Sequence, residues 1–242
     1  MHDLAEALGL PLSDVVRRVE TMGEYNPMLG MRGVRLGVTV PEIYEMQARA
    51  IFEAIVQVSK EGISVVPEIM IPLVSAKREV ELVKKRVASV ASQVGLETSA
   101  EVNYKLGVMV ETPRAALRAS DIAMNSEFLS FGTNDLTQMA YGLSRDDAGK
   151  FMSQYVQQGV FQEDPFHILD PEGVGELVKL GAERARSIKP NITLSICGEH
   201  GGNPESIAFC HQLGFHYVSC SPYRVPVAKL AAAQVAISTQ IS

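Results

Sequence analysis

The sequence predicts an α/β protein whose parallel sheet is covered by helices. Short apolar runs of strand length alternate with longer segments whose apolar residues recur every three or four positions. The runs are continuously apolar, as in strands buried on both faces. Glycines, prolines and small polar residues mark the junctions.

The elements follow in order. Leu12 to Met22 reads as a helical lead-in with Ser13 as its N-cap. Residues 1–25 are set apart on that ground from a main domain over 26–242. Val34-Arg35-Leu36-Gly37-Val38 reads as the first strand. Pro41 and Glu42 open a helix with Ile43, Met46, Ala50, Ile51, Ala54, Ile55 and Val58 on one face, and Gly62 stops it. Val65 to Ile71 is a strand. Val80, Val83, Val87, Val90 and Val94 mark a second long helix ending near Gly95. Leu106–Val110 is a strand, and Pro113 starts the next helix.

Phe128–Phe131 reads as a strand and Asn134 to Gly142 as a short helix. A long connection from Arg145 to Asn191 carries two helices and an Asp164-Pro165 turn. Leu194–Cys197 is a strand, Pro204 to Leu213 a helix, Tyr217–Cys220 a strand and Val225 to Ile237 a closing helix. About six strands result. Either a doubly wound sheet or a (β/α)8 barrel accommodates them, and a barrel needs two more.

In both architectures ligands bind beyond the C-terminal ends of the strands. The polar residues there are Glu111, then Gly132-Thr133-Asn134-Asp135, then Cys197-Gly198-Glu199-His200, then Ser221 to Arg224. Glu111 and Asp135 suit Mg²⁺, which one or two carboxylates hold while substrate oxygens and water complete the octahedron. Either carboxylate could instead cap the helix that follows it.

Of three cysteines, Cys210 falls on an apolar helix face and Cys220 ends an apolar strand. Cys197 stands at a strand-to-loop junction, where a thiol could exchange a proton with substrate. Arg32 and Arg35, in Gly30 to Arg35, carry the guanidinium geometry for phosphate or carboxylate. His200 is a possible base, although a histidine in a glycine loop is commonly exposed.

Bulk properties narrow the classes. The chain has 242 residues, 46% hydrophobic and 21% charged, with a net charge of −6. That balance argues against a general nucleic-acid binder, which needs a basic face. No apolar run reaches 18 residues and Met1-His2-Asp3 opens no signal peptide, so neither membrane nor secretion is expected. The cysteines form no CxxC pair, and a reducing cytoplasmic location is expected.

Asn26-Pro27-Met28-Leu29-Gly30-Met31-Arg32-Gly33, Gly132-Thr133-Asn134-Asp135-Leu136-Thr137-Gln138 and Cys197-Gly198-Glu199-His200-Gly201-Gly202 resemble the signatures of the PEP-utilising enzyme family. Within it, His200-Gly201-Gly202, Asp164-Pro165-Phe166 and Ser219 to Pro226 resemble the pyruvate, phosphate dikinase branch. The other branches are enzyme I of the sugar phosphotransferase system and PEP synthase. The resemblance covers essentially the whole chain.

It implies a (β/α)8 TIM barrel of the PEP/pyruvate type, incomplete at its N-terminal side, that interconverts pyruvate and PEP. Glu111 and Asp135 would hold Mg²⁺. Asn134, beside Gly132 and Thr133, would bind substrate oxygens, Arg32 and Arg145 would hold the phosphoryl group, and Cys197 would protonate C3 of the enolate. The implied partners are an ATP-grasp domain, a phosphohistidine domain and a second copy of the chain. No segment here offers a glycine-rich nucleotide loop or a carrier-histidine motif. Three other readings stand beside this one: a non-catalytic dimerisation module, a PEP synthase-like enzyme, and a self-contained Mg²⁺-dependent lyase or aldolase.

Overall fold

The computed structural model describes residues 1–241, in two compact units that divide after Arg32. The first holds α1 (His2–Leu8), α2 (Leu12–Thr21) and a 3₁₀ turn at Pro27–Leu29. Gly9 ends α1 with φ +63°, a left-handed conformation that glycine adopts without strain. The cap of α2 is Pro11, so Ser13 lies inside the first turn rather than at the expected N-cap. Proline's fixed φ suits a helix entry and leaves no side-chain cap to make.

The second unit begins with α3 (Val34–Thr39), where a strand was expected. Branched residues favour a strand locally, but here packing wins. Gly33 turns the chain at φ +56°, and the Val34 N–H donates to Pro72 O at 3.0 Å. Gly37 lies so close under the Tyr44 ring that a Cβ would stand 2.6 Å from it. The sheet therefore has five strands rather than six.

The remaining elements alternate as the periodicity requires. They are α4 (Pro41–Lys60), β1 (Glu68–Ile71), α5 (Lys77–Thr98), β2 (Lys105–Val110), α6 (Pro113–Leu117), α7 (Ala119–Ala123) and β3 (Phe128–Gly132). Then come α8 (Thr133–Tyr141), α9 (Arg145–Ala148), α10 (Met152–Gln157), α11 (Val174–Ile188), β4 (Thr193–Cys197), α12 (Pro204–Gln212), β5 (Tyr217–Val218) and α13 (Val225–Ile241). Helix α5 buries Val80, Val83, Val87 and Val94 as spaced. Helix α4 buries the expected Ile55, but with Ala48, Phe52 and Val56, and leaves Met46 and Ile51 exposed. It carries apolar residues on more than one face, and its packing on α5 selects among them.

All strand pairs are parallel, in the order β1-β2-β3-β4-β5. The order does not reverse, unlike the doubly wound sheets whose strand order switches direction. Alternation along each strand separates two faces. Ile69, Ile71, Leu106, Val108, Val110, Leu129, Phe131, Leu194 and Ile196 pack on the helices, all but Ile69 fully buried. Burying apolar surface stabilises by about 25 cal/mol per Å², so this layer holds the sheet against its helices.

The other face carries Glu68, Met70, Lys105, Gly107, Ser130, Ser195 and Tyr217. The Tyr217 hydroxyl donates to Glu68 Oε2 at 3.2 Å, linking β5 to β1. In a flat sheet, four spacings of about 4.8 Å would separate these strands by about 19 Å, beyond the joint reach of the two side chains. The sheet is therefore strongly curled, with the polar face inward. No helix among the described residues is long and apolar enough to cross a membrane.

Candidate active site

At the C-terminal ends of the central strands, the inward face carries a row of three residues. Strand register pairs Gly132 with Cys197 and Val110 with Phe131, which sets Glu111, one residue past β2, beside Gly132. Glu111 is only 4% exposed. Its Oε1 accepts the Leu73 N–H at 2.6 Å, across 38 residues of sequence. Leu73 has φ +57°, an unfavourable conformation for a leucine that this bond helps to hold. A Cβ at Gly132 would stand 2.8 Å from Glu111 Oε2, so only glycine leaves room for the carboxylate there.

Helix α8 begins at once after β3 and presents Thr133, Asn134 and Asp135 in its first turn. The loop after β4 is moulded onto that turn. Asn134 Oδ1 accepts the Glu199 N–H at 3.1 Å. Gly198, at φ +104°, approaches so closely that a Cβ would lie 2.8 Å from the same oxygen. Thr133 Oγ1 is 3.1 Å from Cys197 O and 2.6 Å from His200 Nδ1. His200 is wholly buried, with Nε2 2.9 Å from Pro165 O.

Asp135 Oδ1 accepts from Gln138 Nε2 at 3.2 Å, and Gln138 Oε1 accepts the Arg145 N–H at 2.7 Å. Arg145 Nη2 then reaches Glu199 Oε1 at 3.1 Å. The ion pair is about half exposed and contributes less than about 1 kcal/mol.

Cys197 is half-buried, its Sγ 3.7 Å from Phe131 O. Burial pushes its thiol above the ordinary range, a Ser130 hydrogen bond opposes this, and the Glu111 charge adds to the rise. The thiol thus keeps its proton at neutral pH. Burial lowers the His200 pKa and outweighs the Pro165 hydrogen bond and the nearby carboxylates.

Glu111, Gly132, Thr133, Asn134, Asp135, Arg145 and Cys197 are thus joined through contacts and hydrogen bonds around the ends of β2, β3 and β4. Arg32 belongs to the first unit, where its Nε donates to Met28 O at 2.8 Å. Among the described residues no group of three or more His, Cys, Asp or Glu could hold a metal. Glu111 and Asp135 are two carboxylates past neighbouring strand ends, the number that Mg²⁺ commonly takes from a protein. The sequence alone assigns no role to Leu73, or to Gln138 within its motif, and both roles arise from contacts alone; it weighs His200 as a base against simple exposure, and the structure buries it.

Residues 6–237 match the family model described as PEP-utilising enzyme, PEP-binding domain. The pyruvate, phosphate dikinase of Clostridium symbiosum is 52% identical over 239 residues, 98% of this chain and 27% of that protein. Pyruvate, phosphate dikinase 1, chloroplastic, of Arabidopsis thaliana is 51% identical, over 98% of this chain and 25% of its own length. The pyruvate, phosphate dikinase of Rhizobium meliloti (strain 1021) is 53% identical over 98% and 26%. The chain therefore spans about a quarter of the length of these relatives. A solved citrate lyase from Burkholderia xenovorans LB400 aligns with TM-score 0.47 and 16% identity, over 72% of this chain and 52% of that one, too weakly to carry weight. Together the matched motifs, the rim they occupy and these relatives establish that the chain belongs to the PEP-utilising enzyme family and carries its PEP-binding domain.

Proposed function

We propose that this chain carries the pyruvate/PEP half-reaction of a pyruvate, phosphate dikinase, in which a phosphoryl group passes between a phosphohistidine and pyruvate enolate. The observation that carries the reading is the row Glu111, Gly132 and Cys197, with a buried carboxylate and a half-buried thiol on one rim. The overall reaction converts ATP, phosphate and pyruvate to AMP, diphosphate and PEP. Its nucleotide-binding ATP-grasp and phosphohistidine domains would lie outside these 242 residues, and a second copy of the chain would complete a homodimer. The five sequential parallel strands and their strong curl support reading the sheet as part of a (β/α)8 barrel.

Glu111 and Asp135 would hold Mg²⁺, which when bound supplies charge stabilisation at the enolate and carboxylate oxygens. Asn134 would orient substrate oxygens, with Gly132 and Thr133 forming the floor. Arg145 would leave its weak pairing with Glu199 to hold the phosphoryl group. Cys197 would protonate C3, and its raised pKa suits an acid that must still carry its proton at neutral pH. Three unpaired thiols fit a reducing, cytoplasmic setting.

Calorimetry of the chain with Mg²⁺ and oxalate, a planar stand-in for the enolate, tests the reading. Binding should require Mg²⁺ and weaken by about tenfold or more in Glu111→Ala and Asp135→Asn, since a tenfold loss is only about 1.4 kcal/mol. Oxalate binding that is indifferent to Mg²⁺ or to both substitutions would refute it.

A further inference from the structure

His200 is wholly buried beside the proposed site, and the chemistry above gives it no task. Its two ring nitrogens are both engaged. Nε2 lies 2.9 Å from Pro165 O, which can only accept, so Nε2 carries a hydrogen. Nδ1 lies 2.6 Å from Thr133 Oγ1, which is also 3.1 Å from a second pure acceptor, Cys197 O. A hydroxyl has one hydrogen to give. A neutral ring at Nδ1 takes that hydrogen, and Cys197 O then receives none from Thr133. A charged ring would donate to Thr133 and release the hydroxyl for Cys197 O. Full burial disfavours the charged ring.

We infer that His200 is a positioning residue that, as the neutral Nε2-protonated tautomer, fastens the Cys197 loop both to the first turn of α8 and to the connection at Pro165. The inference rests on the reading of the site given above. Asn134 Oδ1 already grips the backbone of the same loop at Glu199. That contact joins two segments only, the loop and α8. Strand pairing sets Cys197 beside Gly132, and His200 adds the third segment, so the loop that follows Cys197 is held by more than one exposed backbone bond. Tautomer-fixing partners of this kind set which ring nitrogen accepts and hold the ring in place.

The first test is long-range ¹H–¹⁵N correlation on chain labelled with ¹⁵N-histidine, near pH 7. The chain has five histidines, and the His200 signals are those lost in His200→Gln. They should report a protonated Nε2 and an unprotonated Nδ1. A ring protonated at Nδ1, alone or together with Nε2, would overturn the inference.

The second test compares His200→Gln, whose amide keeps a donor and an acceptor, with His200→Leu, which keeps neither. The Gln variant should stay within about threefold of wild type in Mg²⁺-dependent oxalate affinity and in the rate of Cys197 alkylation. The Leu variant should lose about tenfold in affinity and alkylate about tenfold faster. A folded Leu variant with both properties unchanged would refute the role. If the Leu variant does not fold, the tautomer and the Gln variant still decide. If wild type fails to bind oxalate, the functional reading falls, while the tautomer and alkylation rates still report on His200.

Discussion

Replacing Gly132 by alanine probes how tightly the Glu111 carboxylate is held. Gly132 has φ −85°, which an alanine adopts without strain, so any cost is steric. The new Cβ would stand 2.7 Å from Met109 Sδ, 2.8 Å from Glu111 Oε2 and 2.9 Å from Glu111 Cβ. Ordinary contacts between such atoms lie at about 3.5–4.0 Å. Met109 is half-buried and flexible, and can give way. Glu111 cannot do so easily, because its Cβ is fixed to the backbone just past β2 and its Oε1 is bound to Leu73 N. Overpacking costs about 1–3 kcal/mol, and loosening a buried charge-assisted bond adds about 1.5–3 kcal/mol when it breaks. Partial relaxation sets the expected total at about 2–4 kcal/mol, or a fall of about 6–12 °C in Tm for a domain of this size. Gly142→Ala is the control. That residue has φ +65°, and a methyl group added there would meet no atom within 4 Å, so it tests backbone strain without a clash. It should cost only about 1–2 kcal/mol. Urea and thermal melts of both variants give the comparison. A Gly132→Ala loss no larger than that of Gly142→Ala would mean that Glu111 is not pinned as described.

Two further outcomes follow from the electrostatics. Glu111→Gln removes a negative charge that disfavours the Cys197 thiolate, so the thiol pKa should fall and alkylation at about pH 8 should quicken. Mass spectrometry after iodoacetamide treatment reads this site by site, with buried Cys210, pushed up to about 12, as the slow internal reference; an unchanged Cys197 rate would remove Glu111 from the thiol's surroundings. Asp170 accepts the N–H groups of Glu172, Gly173 and Val174 at 3.0, 3.1 and 3.2 Å at the start of α11. Burial pushes its carboxyl up, but hydrogen bonds from Tyr141 and those three amides outweigh it and leave the pKa lowered. Its stabilisation is therefore present above the unfolded value of about 4 and is lost as pH falls through the folded one. Asp170→Ala should cost about 1–2 kcal/mol near neutral pH and much less in acid, and equal losses at both would show that the carboxylate's charge plays no part.

Much of this molecule is written locally. Strands β1 to β4 were legible because continuous apolar runs have a period and length that helices do not share. Their ends were legible too, so the residues that stand there, Glu111, Gly132 to Asp135 and Cys197, could be named from sequence as candidates. Membership of the family rested on the same contiguous motifs. Other features depend on partners far away in the chain. Val34–Val38 has strand-like residues, yet it becomes helix α3 because Gly33 turns it toward Pro72 and Gly37 fits beneath Tyr44. Helix α4 offered more than one apolar stripe, and only packing against α5 chose Phe52 and Val56 over Met46 and Ile51. His200 sits among glycines that suggest exposure, but Thr133 and Pro165 enclose it from 67 and 35 residues away. A pattern of hydrophobicity records what each segment must bury. It does not record which distant carbonyl, ring or carboxylate will meet it, and that was decided only when the strands came side by side.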